Sequence, residues 1–233
     1  MTIEELKKEA ERFSLHLSDD QIEKFESYLE LLSKWNEVMD LTAIKETSKM
    51  IEKHFLDSLY LSSEVKFDDQ KILDIGSGAG FPGLVLKIAY PNLDMTLLEP
   101  TQKRVKFLRE VISILNLTKI EVVCMRAEDY IIDHREEFDI VTARAVARLN
   151  ILLELGIPFL KVDGKMILLK GSKADIEVNE SKNALKSLDS KIERILPYFL
   201  SDEILRNVIS IAKEKETKKI YPRRFSVIKN KPL

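Results

Sequence analysis

The chain has 233 residues, 45% hydrophobic and 33% charged, the balance of a soluble globular protein large enough for one substantial domain and an appendage. No apolar stretch reaches the roughly 18 residues a membrane span needs, and the acidic, amphipathic Met1–Glu9 segment is wrong for a secretion signal. The single cysteine, Cys124, excludes an internal disulfide and an all-cysteine metal cage, which points to a reducing cytoplasm.

Residues 1–65 read as a helical cap. Ser18-Asp19-Asp20-Gln21 has capping-box spacing, and Ile22, Phe25, Leu29 and Leu32 follow at helical intervals. A further helix is expected from about Ser48, carrying Met50, Ile51, His54 and Leu59. From residue 66 onward the pattern becomes strand–helix alternation. Strands are predicted at Lys71–Ile75, Asp94–Leu98, Ile120–Cys124, Phe138–Thr142 and Lys165–Leu169, with helices near Gly83–Ala89, Thr101–Leu115 and Leu149–Phe159. A charged helix near Ala174–Leu188 and strands at Lys191–Phe199 and Leu205–Ala212 follow. Pro197 suits a sheet edge, and a final antiparallel pair would close the sheet. The expected fold is α/β: a doubly wound, mostly parallel seven-stranded sheet under the helical cap.

Four of the seven glycines fall within Gly76-Ser77-Gly78-Ala79-Gly80-Phe81-Pro82-Gly83, directly after the first strand. Glycine weakens a helix or strand by about 0.5–1 kcal/mol, so such a cluster implies a backbone that turns sharply against a ligand. After a strand and before a helix, this is the nucleotide-cofactor loop of a doubly wound domain. Two features favour S-adenosylmethionine over a dinucleotide. Asp74 sits two residues before the first glycine, where it can bond the cationic end of the methionine moiety or orient the loop. Pro82 stands where the dinucleotide fingerprint places backbone N–H groups against a pyrophosphate, and proline has none. Glu99, closing the second strand, can accept both ribose hydroxyls of either cofactor, and Arg126-Ala127-Glu128-Asp129 has the small and acidic residues that frame an adenine.

With these segments in order, the chain resembles the RsmG (GidB) family of bacterial 16S ribosomal RNA guanine-N7 methyltransferases. The resemblance runs nearly end to end. It is carried by Leu41-Thr42-Ala43-Ile44, His54-Phe55-Leu56-Asp57-Ser58-Leu59, Gly80-Phe81-Pro82-Gly83, Lys103-Arg104-Val105-Lys106-Phe107-Leu108, Thr142-Ala143-Arg144-Ala145, Leu169-Lys170-Gly171 and Tyr221-Pro222-Arg223-Arg224-Phe225. The chain departs from the family's pattern in having Asp40 before Leu41-Thr42, where asparagine is common, and Pro100 after the second-strand acid. The resemblance implies a class I, Rossmann-like methyltransferase acting on the small ribosomal subunit or an assembly intermediate. It places Gly76, Phe81, Ala127, Glu128 and Arg144 at cofactor positions. Asp74, Gly78 and Glu99 join them on the reasoning above.

Guanine N7 is an exposed lone pair, so its methylation needs in-line alignment and electrostatics, with no general base or metal expected. Arg144, at the end of the fourth strand, is expected in the ligand crevice. With Lys170 at a comparable strand end, it is the candidate catalytic residue. Arginine commonly reads guanine through O6 and N7 together. Here N7 must stay free, so O6 or the opposite edge should be bonded instead.

RNA phosphates call for cations. Net charge is only −2, but residues 1–70 hold 9 basic against 17 acidic residues and residues 204–233 hold 9 against 2. RNA is therefore expected over the crevice and the basic tail, at Lys103, Arg126, Arg148, Arg223 and Arg224. His54 and Asp57 read equally as a helix-surface pair or as substrate contacts, and Cys124 as a buried small apolar group. The chain is expected to work as a monomer away from membranes. Two rivals stay open: an NAD-dependent oxidoreductase, disfavoured by Pro82, Asp74 and the lack of a catalytic acid for hydride chemistry, and a non-catalytic RNA-binding module.

Overall fold

The computed structural model describes residues 1–233. Seven strands form one sheet: β1 (Lys71–Ile75), β2 (Asp94–Leu98), β3 (Ile120–Val123), β4 (Phe138–Arg144), β5 (Leu160–Lys170), β6 (Ser190–Phe199) and β7 (Leu205–Lys213). Their order is β3-β2-β1-β4-β5-β7-β6, and only β7 runs against the rest. The expected antiparallel closure is present, and Pro197 lies on β6, the edge strand, where its missing N–H leaves no gap in a central ladder.

Strand residues alternate between the two faces as the pleat requires. Ile72, Met95, Leu97 and Ile140 enter one core, while Leu73, Ile75, Leu98 and Val141 enter the other. The first core extends from Ile3 to Val208 and includes Phe25, Tyr28, Leu32 and Phe55, so the N-terminal helices share the core of the sheet they cover. The helix Asp19–Met39 starts with the expected capping box, Ser18 accepting from the Gln21 N–H and the Gln21 side chain accepting from the Ser18 N–H. Gln21 also donates to the Ile88 and Ala89 carbonyls at 2.8 Å, ending the helix Gly83–Ala89. The Tyr28 hydroxyl donates to the Ala79 carbonyl. The cap thus grips both ends of the segment that carries the glycine loop.

Beyond small shifts in strand bounds, three local features differ from the sequence reading. The helix expected from Ser48 is a composite over residues 47–63, with a π-helical stretch at Ile51–Leu56 between α-helical turns. The charged helix is two, Ala174–Glu180 and Lys182–Ser187, broken at Ser181, whose hydroxyl donates back to the Glu177 carbonyl. Cys124 is half-buried, outside the core.

Candidate active site

The strand order reverses between β1 and β4, and ligands of doubly wound sheets bind outside the carboxyl ends of strands at such a switch point. Asp74, Glu99, Arg144 and Lys170 all lie at or just beyond the carboxyl ends of parallel strands. A cavity of about 380 Å³ there is lined by Thr42, Gly76, Gly78, Phe81, Glu99 and Arg144, among others. Gly76, Pro100 and Val146 also line an adjoining slot of about 120 Å³ with Ala127 and Glu128. The residues expected around the cofactor therefore lie along one groove, with the exception of Asp74 beneath it.

The loop's geometry explains its glycines. Gly76 has φ +69°, and a Cβ there would stand 2.7 Å from Val146 Cγ2. Gly78 has φ +59° with only backbone, at 3.8 Å, near a would-be Cβ, leaving space for a ligand. The Gly78 N–H donates to Glu99 Oε2 at 2.9 Å, and the Thr101 N–H donates to Oε1 at 2.8 Å. Each oxygen keeps a second lone pair, so Glu99 holds the loop and can still accept ribose hydroxyls.

Asp74 is fully buried. Its Oδ2 accepts the Gly83 N–H at 3.1 Å, while Oδ1 has no partner. Burial pushes its carboxyl up to about 7, against the Gly83 hydrogen bond, which favours the charged form, while the Ser77 hydroxyl donates to the Asp74 backbone carbonyl at 3.0 Å. It orients the loop with one oxygen and offers the other, which suits the cationic amino group of S-adenosylmethionine. The open Gly78, the ribose-ready Glu99 and this orphaned acceptor together fit that cofactor.

Arg144, with Ala145 and Val146, lines both this groove and a second cavity of about 440 Å³. One Nη1 donates to the Lys53 carbonyl at 2.9 Å and to Asp57 Oδ2 at 3.1 Å, and Nη2 meets His54 Nδ1 at 3.0 Å. The guanidinium lies 4.8 Å above the Phe81 ring, which stacks on His54 at 4.4 Å. His54 Nδ1 lies 3.0 Å from both Arg144 Nη2 and the Lys53 carbonyl; because a guanidinium can only donate, the ring proton is assigned to Nε2, which then donates to Thr42 Oγ1 at 2.7 Å. Burial, reinforced by the Arg144 charge, lowers His54 to about 3 and keeps it neutral. His54 and Asp57 are thus not a solvated surface pair, although His54 lines the cofactor groove and Asp57 the second cavity. Both are buried partners of Arg144.

Sequence reasoning missed what completes this network. Asp57 Oδ1 accepts from the Tyr198 hydroxyl at 2.7 Å and lies 3.5 Å from Arg206 Nε. Arg206 is gripped bidentately by Asp202, and Lys53 approaches Asp202 at 3.0 Å. These partners come from the β6–β7 hairpin, about 140 residues from Asp57, and only the His54-x-x-Asp57 spacing hinted at any of them.

The expected RNA-facing cations separate into two groups. Lys103, Arg126, Arg148 and Arg224 are exposed, with Arg126 4.0 Å from Glu128 and Arg148 3.4 Å from Glu180. Arg223 corrects the expectation. Its backbone N–H and Nε donate to Oε1 of the fully buried Glu154 at 2.9 and 2.8 Å, and Nη2 to Oε2 at 2.6 Å. That charge is committed to the fold, where a buried carboxylate needs a partner. Lys170 is also tied down, donating to the Ala147 carbonyl at 2.8 Å and Glu177 Oε2 at 2.7 Å.

A family model described as rRNA small subunit methyltransferase G (GidB) matches residues 21–203. The chain belongs to this family. It is 44% identical over 237 residues to ribosomal RNA small subunit methyltransferase G of Streptococcus gordonii, covering all of both chains. It is 44% identical over 240 residues to the protein of that name from Thermoanaerobacter sp., covering 100% of this chain and 98% of the other. Solved structures share the fold at low identity. M. jannaschii TYW2 in complex with AdoMet aligns with TM-score 0.57 and 14% identity, over 73% of this chain and 79% of that one. A precorrin-6y C5,15-methyltransferase from Geobacter metallireducens aligns with TM-score 0.53 and 16% identity, over 76% and 92%. Family membership removes the oxidoreductase alternative. No helix is long and apolar enough to cross a membrane.

Proposed function

We propose that this chain transfers a methyl group from S-adenosylmethionine to N7 of a guanine in the 16S rRNA of the small ribosomal subunit. The observation that carries the reading is the groove at the β1/β4 switch point. There Asp74 presents an unpartnered buried oxygen, Gly78 an open face and Glu99 a carboxylate with spare lone pairs. When bound, the cofactor supplies an electrophilic methyl on its sulfonium. N7 attacks with its own lone pair, so the protein's task is alignment and charge placement. Asp74 would hold the amino group from beneath the groove, Glu99 would accept the ribose hydroxyls, and Ala127 and Glu128 would border the adenine.

Arg144 forms the wall between cofactor and substrate cavities. Three of its five N–H donors are held by Lys53, Asp57 and His54, leaving two for ligand in a site that need not reorganise. Lys103, Arg126, Arg148 and Arg224 meet phosphates around the opening. The chain acts as a monomer in the cytoplasm, on small ribosomal subunits or assembly intermediates.

The test is tritium transfer from labelled S-adenosylmethionine to small subunits lacking their 7-methylguanine. Label recovered in 16S rRNA as 7-methylguanine is the expected result. Tight cofactor binding with no label in any ribosomal substrate would favour the non-catalytic RNA-binding module.

A further inference from the structure

The second cavity, about 440 Å³, shares Arg144, Ala145 and Val146 with the cofactor groove and is otherwise lined by residues including Leu169, Lys170, Glu177 and Tyr198. Lys170 is 8% exposed along its side chain and spends two of its three ammonium N–H groups on the Ala147 carbonyl and Glu177 Oε2. Glu177 Oε2 also accepts the Leu149 N–H at 2.8 Å, so both donors converge on one oxygen and Oε1 is left without a partner in the chain. The pair therefore shows the cavity one charged donor and one charged acceptor side by side.

We infer that this cavity takes the target guanine, with Lys170 donating to O6 and Glu177 Oε1 accepting from N1–H. The inference rests on the guanine-N7 reading above. Guanine carries an acceptor, O6, beside a donor, N1–H, which matches the pair. Adenine carries the reverse, an N6 amino donor beside an N1 acceptor, and meets like against like at both atoms. Glu177 lines this cavity and not the cofactor groove, whereas Arg144, Ala145 and Val146 line both. A base held by its N1 edge at Glu177 turns N7, across the ring system, toward that shared wall. Arg148 and Arg206 also line the cavity, but Arg206 is held by Asp202 and Asp57, and the adjacent donor and acceptor of Lys170 and Glu177 match a base edge where a phosphate would use the donor alone. Leu169, Val146 and Tyr198 offer the ring an apolar surround. Glu177 is then the residue that makes the site specific for guanine.

The experiment uses the full-length enzyme and small subunits reconstituted with 16S rRNA carrying either guanosine or 1-methylguanosine at the target position. N1-methylation removes the N–H and adds bulk where Glu177 stands, while N7 stays available. Wild type should discriminate against 1-methylguanosine by about 10- to 100-fold in kcat/KM, as expected for losing a hydrogen bond to a charged group. Glu177→Ala, which removes the acceptor and opens space for the methyl, should be slower on guanosine and discriminate less than about threefold. A merely structural role for Glu177 would lower both rates together and keep the ratio, and that outcome overturns the inference. If Glu177→Ala fails to fold, Glu177→Gln decides, since its amide oxygen can still accept from Leu149. It should lose at least about tenfold on guanosine while binding S-adenosylmethionine as wild type does, and wild-type activity would overturn the proposal. Wild type that labels no guanosine-containing subunit would instead refute the underlying reading.

Discussion

Replacing Asp74 with asparagine should stabilise the ligand-free protein at pH 8 while weakening its hold on S-adenosylmethionine. Asp74 is fully buried, with one oxygen on the Gly83 N–H and the other unpartnered, and burial lifts its carboxyl from 3.8 to about 7. Between those values the folded protein keeps a proton that the unfolded chain has released. Stability therefore falls as pH rises through this window, by an upper bound of about 4 kcal/mol at about 1.4 kcal/mol per pH unit. Asparagine still offers an oxygen to Gly83 and has nothing to ionise. Denaturant unfolding at pH 5 and pH 8 should show wild type losing about 2–3 kcal/mol more than the variant between the two. Calorimetry at pH 8 should show about 10- to 100-fold weaker cofactor binding, the cost of a charge-assisted hydrogen bond to the amino group. The reasoning fails if the variant binds the cofactor as tightly as wild type and keeps the wild-type pH dependence of stability.

Arg144→Ala should abolish methyl transfer and destabilise the fold by about 2–4 kcal/mol, somewhat below a fully broken buried pair because Asp57 keeps Tyr198 and Arg206. NMR titration should find His54 protonating above its wild-type value of about 3, since one of the two causes holding it down is the Arg144 charge; an unmoved His54 would contradict the network. Arg223→Ala should cost about 2–4 kcal/mol in denaturant unfolding by stranding the buried Glu154. Arg224→Ala, at an exposed position, should change stability by less than about 0.5 kcal/mol. It should lower the slope of log affinity against log salt by about one for subunit binding. Equal stability losses for the two arginines would refute this separation.

The parallel strands were legible because buried strands alternate with helices and sit between turn signals, and β1 and β2 have the bounds that pattern implies. β5 begins five residues earlier than expected, at Leu160, because its exposed Lys161-Val162-Asp163 opening looks like a loop in sequence. Arg144 was legible as a strand-end residue, but its partners were not. His54 and Asp57 read equally as a helix-surface pair or as substrate contacts until the fold set them against Arg144 of β4. The Glu154–Arg223 pair was illegible for the same reason: a glutamate within an apolar helix and an arginine in a basic tail carry no periodic mark of each other across 69 residues. Patterns of 2 and 3.6 residues report burial of backbone elements. Pairing of individual charges is decided by tertiary contact and leaves no repeat to read.

The same contacts tie the helical cap of this chain to the proposed site. The composite helix over residues 47–63 delivers the Lys53 carbonyl, the His54 ring and the Asp57 carboxylate to one guanidinium, and its π-helical turns lie where these residues begin. π-Helical turns are frequent at functional sites. Asp57 then reaches across to Tyr198 on β6 and Arg206 on β7, while Lys53 and Arg206 share Asp202 in the turn between those strands. Arg144 is thus fixed from the cap and, through Asp57, from the far edge of the sheet, at the boundary between the two cavities. A flexible arginine there would lose rotamer freedom and shed water each time a cofactor and a base came together. On the function proposed above, an arginine held by three hydrogen bonds and an aromatic face is ordered before any ligand arrives, which suits a methyl transfer that needs alignment and no proton movement.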